Sequence, residues 1–263
     1  MSFASGFSNV EVCLKAVSLR PNTVQHFEAS FGNYDAYRLA ADITGPLTET
    51  VSARLDGIYS KRDGFLTDVV SGRTVNNRDR YLLRGQVMFE PSSDLSFRLI
   101  ADYSDRNEEC CAATYYPASL VTAGAGGTIN RSASPIAALV RGLGGIVNDN
   151  MFVRDTSITP GQSYRGDVRD WGISGELNYD LGGAKLTSIT AYRDWRWLRG
   201  QDADFNNLDI LHRQDDGTAN QKFSTFTQEL RLQGNAFDDK LDWLVGGFFA
   251  NEGLTLNDNL AYG

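Results

Sequence analysis

Residues 81–104 contain two runs in which apolar and polar side chains alternate, and this alternation constrains the fold more than any other feature. The first run is YLLRGQVMF, the second is LSFRLIADYS, and EPSSD connects them. A period of two is the geometry of a β-strand, because successive side chains point to opposite faces. One face of this hairpin is apolar with aromatic residues at its edges, and the other carries arginines and carboxylates. This division is typical of a wall between lipid and a water-filled interior.

The same pattern predicts about nine strands along the chain. They lie near residues 23–33, 35–45, 51–60, 80–90, 95–104, 167–180, 185–197, 222–233 and 241–252. After the first link, short connectors alternate with the long connectors 61–79, 105–166 and 198–221. Outer-membrane barrels place short turns on the periplasmic side and long loops outside. We therefore predict an all-β fold, a partial antiparallel up-and-down transmembrane β-barrel.

The strand predicted at 185–197 does not show which of its faces is apolar. Leu186 and Tyr192 favour one face, whereas Ile189, Ala191 and Trp195 favour the other. The orientation of this strand is left open by the sequence pattern.

Composition limits the classes of partner. The chain has 263 residues with Lys+Arg 25 and Asp+Glu 33, and its formal net charge of -8 argues against nucleic acid. No run of about 18 apolar residues is present, which excludes a transmembrane helix. Residues 1–21 lack the features of a secretory signal. We expect them to be an atypical leader, either disordered or produced by a wrong start.

Four stretches resemble parts of one membrane-protein family. FEASFGNYDAYRLAADITGPLTETVSARLDGIYSKRDGF resembles the first three barrel strands of TonB-dependent outer-membrane receptors, and LTSITAYRDW, FTQELRL and LDWLVGGFFA resemble later strands. The resemblance implies a plug inside a barrel of about 22 strands, a TonB-binding segment, and uptake of a scarce ligand such as a ferric siderophore, cobalamin or an oligosaccharide. It also implies the outer membrane of a Gram-negative bacterium, with lipid, TonB and a small-molecule ligand as partners.

The chain departs from that pattern in its extent. It contains no plug and no TonB-binding segment, and the final stretch NEGLTLNDNLAYG is interpreted as the start of another external loop. We therefore expect residues 22–263 to be the N-terminal part of the barrel, and the chain to be a fragment whose transport role belongs to an intact parent.

Two adjacent cysteines, Cys110 and Cys111, lie at the start of the longest loop. In an oxidising compartment they could form a vicinal disulfide or pair across a loop. The alternative is a thiol pair without functional consequence. A metal site is disfavoured because His26 and His212 are both distant in sequence.

The acidic sequence DADFN at 202–206 resembles the opening of a calcium loop. However, the sixth position is Asn207 and the twelfth is Arg213, where that loop needs Gly and Glu. We predict a solvated acidic loop, and neither a metal nor a cofactor.

The long loops are the predicted ligand-binding elements. The connector 105–166 far exceeds the usual loop length, and such loops are generally functional or disordered. Its aromatic and apolar content is atypical of a solvated tether, so we expect it to fold over the external mouth. The alternative is a mobile lid without a ligand role. The candidate contacts are Tyr115, Tyr116, Phe152, Asp202, Asp204 and Phe205.

The polar face of the strands carries the largest set of charges, which we expect to face the barrel lumen. Opposite charges on neighbouring strands can stabilise a sheet, so one interpretation is a structural ladder. The other is that they hold a plug or line the ligand path. The residues are Arg38, Asp42, Arg54, Asp56, Arg84, Arg98, Asp102, Glu176, Glu229 and Arg231.

Three functions are compatible with these features. The first is a fragment of a TonB-dependent receptor, and the second is a passive porin or adhesin barrel with the same strand pattern. The third is an outer-membrane enzyme, which would need a Ser-His or paired-carboxylate site. With two histidines in the chain, the catalytic signal is poor, and we predict no enzymatic activity.

Overall fold

The computed structural model describes residues 10–14, 23–114, 119–127, 129–133, 135–148, 150–238 and 240–263. Its main feature is one antiparallel sheet of ten strands, in which each strand pairs with the next one along the chain. The strands are β1 (Val10–Leu14), β2 (Val24–Gly32), β3 (Ala36–Pro46), β4 (Val51–Arg62), β5 (Arg78–Phe89), β6 (Leu95–Arg106), β7 (Gly166–Asp180), β8 (Ala184–Arg199), β9 (Asn220–Ala236) and β10 (Leu241–Asn257).

All nine predicted strands are present as β2 to β10, and the all-β prediction is confirmed. The predicted loop after residue 252 begins too early, because β10 continues to Asn257, which pairs with Asn220 at the start of β9. Strand β1 lies inside the segment that we expected to be disordered, where Val10–Leu14 pairs with Phe27–Phe31 of β2. The division at residue 21 stays a prediction.

Smaller elements lie in the connectors and at the C-terminus. The short strands are Leu66–Asp68, Thr74–Val75, Ser119–Ala123, Ile129–Ala133, Asp155–Thr156, Gln201–Asp202, His212–Arg213 and Leu260–Ala261. Helix α1 spans Pro135–Gly142, and single 3-10 turns span Ala125–Gly127 and Met151–Val153. In the described part of the chain, no helix is long and apolar enough to cross a membrane.

The strand register aligns the apolar faces of neighbouring strands. Leu83 of β5 lies opposite Gly57 of β4 and Tyr103 of β6, and Tyr103 lies opposite Trp171 of β7. The predicted apolar residues of these strands therefore share one side of the sheet, which we call the apolar face. The opposite side is the polar face.

The register also settles the orientation of β8. Leu186 lies opposite Tyr179, and Tyr192 lies opposite Ile173, so both belong to the apolar face. Trp195 lies opposite Asp170 and therefore belongs to the polar face, together with Ile189 and Ala191.

Aromatic rings form a belt across the apolar face, nearer the end with the long loops. Each ring pair joins two neighbouring strands, and together they extend from β3 to β10. The pairs and their centroid distances are Tyr37–Tyr59 at 5.7 Å, Tyr81–Tyr103 at 5.9 Å, Trp171–Tyr192 at 5.4 Å and Phe226–Phe249 at 6.4 Å. We call these eight side chains the aromatic belt.

The three long connectors lie at the same end of the sheet and pack together. We call the described residues of 63–77, 107–165 and 200–219 the loop module. Its main core contains five buried side chains, Leu66, Val75, Ala112, Ile158 and Tyr164, with Phe65 and Phe205 packed against them. The strand Asp155–Thr156 pairs in parallel with Leu66–Asp68 and joins two of the connectors.

Close backbone packing at Gly64 positions the first connector of the loop module. A Cβ atom at this residue would lie 2.5 Å from the backbone nitrogen of Val75, and closer still to the Val75 carbonyl oxygen. Because both are backbone atoms, no side-chain movement can relieve this overlap.

We predict that Gly64→Ala destabilises the loop module by about 1 to 3 kcal/mol, the usual cost of overpacking. Gly142→Ala is the matched control, because a Cβ there meets no atom within 4 Å and alanine favours the helix. Each refolded variant is titrated with urea, and the protease sensitivity of the loop module is the readout that measures the difference. Equal sensitivity of the two variants would contradict this packing role.

Candidate functional site

A single row of side chains crosses the polar face from β2 to β10. Each residue lies directly opposite the next one on the neighbouring strand. The row is His26, Asp42, Asp56, Arg84, Asp102, Gly172, Arg193, Thr225 and Glu252. It crosses nine strands and places the acidic and basic groups of seven of them in one line, although they are far apart in sequence.

The register places all ten charges predicted to face the lumen on the polar face, and nine of them form ion pairs. The pairs are Arg54–Asp56 at 2.6 Å, Arg54–Asp42 at 3.7 Å, Arg98–Glu176 at 2.5 Å, Arg231–Glu229 at 3.0 Å, Arg193–Asp102 at 2.8 Å and Arg38–Glu28. These groups are exposed or partly exposed, so each pair contributes little to stability. The arrangement supports the structural-ladder interpretation.

Arg193 connects three strands and was missed by the sequence analysis. Its guanidinium binds Asp170 at 2.7 Å and reaches across β7 to Asp102 of β6 at 2.8 Å. Gly172 leaves room for it, since a Cβ there would lie 2.9 Å from the Arg193 Nη2 atom. The ambiguous pattern of β8 concealed this role.

Arg84 differs from the other nine predicted charges. It lies opposite Asp56 and Asp102, but those carboxylates bind Arg54 and Arg193. Arg84 makes no ion pair with any residue that the structure describes, and its side chain is exposed.

Asp202, Asp204 and Phe205 lie within the loop module and help to hold it together. Asp202 is fully buried, and its Oδ2 atom accepts a hydrogen bond from the Thr159 N–H group at 2.7 Å. Phe205 stacks on Tyr164 with ring centroids 6.0 Å apart. The Asp204 carboxylate accepts hydrogen bonds from backbone N–H groups of its own loop. Asp202 and Phe205 therefore join the second and third long connectors.

The other loop candidates are placed differently. Phe152 is 82% exposed at the surface of the loop module, whereas Tyr115 and Tyr116 lie outside the described residues. Cys110 and Cys111 are joined by a disulfide bond, and the Cys110 N–H group donates to the Tyr164 carbonyl at 2.7 Å.

Two polar atoms are buried in the loop module without a hydrogen-bond partner among the described residues. They are Asp202 Oδ1 and the Tyr164 hydroxyl. Burial, the main cause, and the neighbouring Asp204 together raise the pKa of Asp202 to about 7. The pKa of Tyr164 is also raised, mainly by burial and then by the negative charge of Asp202. At neutral pH, Asp202 is therefore close to its protonation midpoint.

Within the described ranges, no cluster of side chains supports metal binding. No group of three or more His, Cys, Asp or Glu residues there could hold a metal ion.

Comparison with known proteins identifies the fold. No protein-family model matches the chain, and no curated protein sequence matches it. The ferric yersiniabactin uptake receptor FyuA from Yersinia pestis matches with a TM-score of 0.62 and 14% identity, covering 93% of this chain and 33% of that chain. FpvAI in its complex with pyocin S2 matches with a TM-score of 0.34 and 15% identity, covering 92% of this chain and 38% of that chain.

The ten-stranded sheet therefore has the fold of the part of FyuA that it matches. The chain spans about a third of the length of the FyuA structure, 33% of that chain.

We predict that stability of the loop module falls as pH rises from about 4 to about 7. The folded pKa of Asp202, about 7, exceeds the unfolded value of about 3.9. The protonated group therefore stabilises the fold fully below pH 4, and this contribution is lost on the way to pH 7.

Asp202→Asn should remove this pH dependence, because the amide resembles the neutral acid. Asp216→Asn should retain it, since Asp216 is an exposed residue of the same connector whose pKa is lowered by hydrogen bonds from Thr218. Urea titrations at four pH values between 4 and 7 compare the variants. A wild-type slope in Asp202→Asn would show that another group titrates.

Proposed function

We propose that this chain forms part of the barrel of a TonB-dependent outer-membrane receptor that takes up a scarce ligand. The observation that carries the proposal is the strand register, which produces one continuous apolar face backed by a face of paired charges. An uptake receptor shares this fold. We further propose that the intact receptor takes up a siderophore, cobalamin or an oligosaccharide and that TonB is its partner.

Exposure of the apolar face supports a location in lipid. Leu55 is 56% exposed and Leu83 is 52% exposed, and many of their neighbours on this face are also exposed. A surface of this extent is rare on a soluble monomer and marks an interaction or membrane site. The aromatic belt lies where tyrosine and tryptophan side chains would meet the lipid headgroups.

The open edges of the sheet support the fragment interpretation. Strands β1 and β10 are the two ends of the strand order within the described residues. Hydrocarbon cannot satisfy the free N–H and C=O groups of an open edge, so only a closed barrel is stable in a bilayer. We infer that further strands, which complete the barrel, flank these edges in the membrane.

Mutual packing of the three long connectors favours a receptor over a passive porin. The Ile158 N–H group donates to Asp68 at 3.0 Å, and the Arg73 guanidinium donates to the Gln162 carbonyl at 2.6 Å. Both bonds join different connectors. A folded cover at the mouth provides a surface on which a ligand can be selected, and Phe152 is its exposed candidate contact.

We predict that Leu83→Arg destabilises the sheet in lipid by about 1 to 3 kcal/mol, between the cost of a cation near the interface and its cost at mid-membrane, because Leu83 lies on the lipid face next to the aromatic belt. Arg84→Gln changes the adjacent residue on the polar face and should cost much less. Folding titrations of the intact receptor into phosphatidylcholine vesicles measure both. If Arg84→Gln proves the more damaging change, the apolar face does not meet lipid.

We also predict that Phe152→Ser lowers ligand uptake by about tenfold, the usual effect of losing an important aromatic contact. Phe237→Ser is the control, because Phe237 is 75% exposed in the turn after β9, at the opposite end of the sheet. Cells producing the receptor are assayed for uptake of a ferric siderophore, cobalamin and an oligosaccharide. Unchanged uptake of all three by the Phe152 variant would exclude its role.

A further inference from the structure

Four arginines gather on the polar face where β4, β5 and β6 meet the loop module. Arg62 lies directly opposite Arg78, and Arg80 lies directly opposite Arg106. We call Arg62, Arg78, Arg80 and Arg106 the arginine cluster. Like charges directly opposite each other destabilise a sheet, so two such pairs in adjacent positions need a compensating partner.

One carboxylate compensates the cluster in part. Glu108 is buried, and both of its oxygen atoms accept hydrogen bonds from Arg80 at 2.7 Å. The Arg106 Nε atom lies 3.9 Å from the same carboxylate. Glu108 thus contacts Arg80 and Arg106, and within the described residues one carboxylate against the four arginines leaves three positive charges in excess.

Neighbouring acidic groups do not remove this excess. Glu109 pairs with Arg73 at 3.0 Å, outside the cluster. Asp79 lies opposite Lys61, and the strand alternation places it on the apolar face. The remaining charge therefore belongs to the polar face, beside the loop module.

Hydrogen-bond donors without a partner also indicate that the arginine cluster is incompletely compensated. The Nε atoms of Arg62 and Arg106 are buried and have no hydrogen-bond partner among the described residues. Arg78 is exposed and makes no ion pair with a described residue. This contrasts with the part of the polar face farther from the loop module, where Arg54 and Arg193 bind carboxylates of the sheet itself.

We propose that the arginine cluster is a binding site for a small ligand with two or more phosphate or carboxylate groups. Guanidinium groups bind both kinds of oxyanion through paired N–H donors, and a multivalent anion would balance the excess charge. This inference rests on the proposed function, since it assigns an anionic class to the ligand that passes the mouth of the barrel.

The test uses the chain refolded in non-ionic detergent micelles, titrated calorimetrically with inorganic pyrophosphate and with citrate. Arg78→Gln should weaken binding by about tenfold to a hundredfold, the range for losing a hydrogen bond to a charged group. Arg106→Gln should have a similar effect. Arg80 is left unchanged, because its two bonds to Glu108 hold a buried carboxylate.

Arg84→Gln is the matched control. It removes the same charge from the same strand and face, about 20 Å from Arg78 along β5, which exceeds the screening length of about 10 Å at 0.1 M salt. Binding by this variant should stay within about twofold of the wild type. The preferred probe distinguishes a phosphate site from a carboxylate site.

Three results would overturn the proposal. They are wild-type affinity in both Arg78→Gln and Arg106→Gln, equal loss in the Arg84 control, or tighter binding of hexaglutamate than of either small anion, which would indicate an acidic protein segment. Vesicle folding of the Leu83 and Arg84 variants reports the membrane location separately. Failure of the anion site therefore leaves the proposed barrel function testable on its own.

Discussion

Cross-strand register is the constraint on which the rest of this structure depends. Side chains alternate with a period of two, so a slip of one residue would turn every side chain of a strand to the other face. The short turns after β3, β5 and β7 hold neighbouring strands in step. As a result, Leu83, Tyr103 and Trp171 share one face, while Arg84 and Asp102 share the other.

The polar face shows two different treatments of charge. Toward the middle of the strands, Arg54 and Arg193 bind carboxylates of the sheet, and Arg193 spans two strand spacings to do so because Gly172 has no side chain. At the loop end, Glu108 is the only carboxylate among the described residues that bonds to the arginine cluster. Unlike those arginines, the arginine cluster carries an excess of positive charge. The proposed anionic ligand would balance this excess.

The loop module depends on the sheet for its position. Strands β4 to β9 bring the ends of three long connectors together, and buried polar groups then fasten one connector to another. Asp68 accepts hydrogen bonds from its own turn and from Ile158, while Asp202 accepts one from Thr159. The buried Asp202 Oδ1 atom has no hydrogen-bond partner within the described residues, and burial raises the pKa of this carboxyl to about 7, so its protonation state affects the stability of the module.

The sequence by itself determined the strands and most of their faces, because the period of two is a local property of each segment. It also assigned the ten charges predicted to face the lumen to one side of their strands. It could not orient β8, whose own pattern is mixed, and so it missed Arg193. It did not reveal the arginine cluster, since the pairing of Arg62 with Arg78 and of Arg80 with Arg106 depends on which residues the turns bring opposite each other. Only the tertiary structure decided that Asp202 and Phe205 lie in the interior of the loop module and Phe152 on its surface, because their burial depends on contacts between connectors that are distant in sequence.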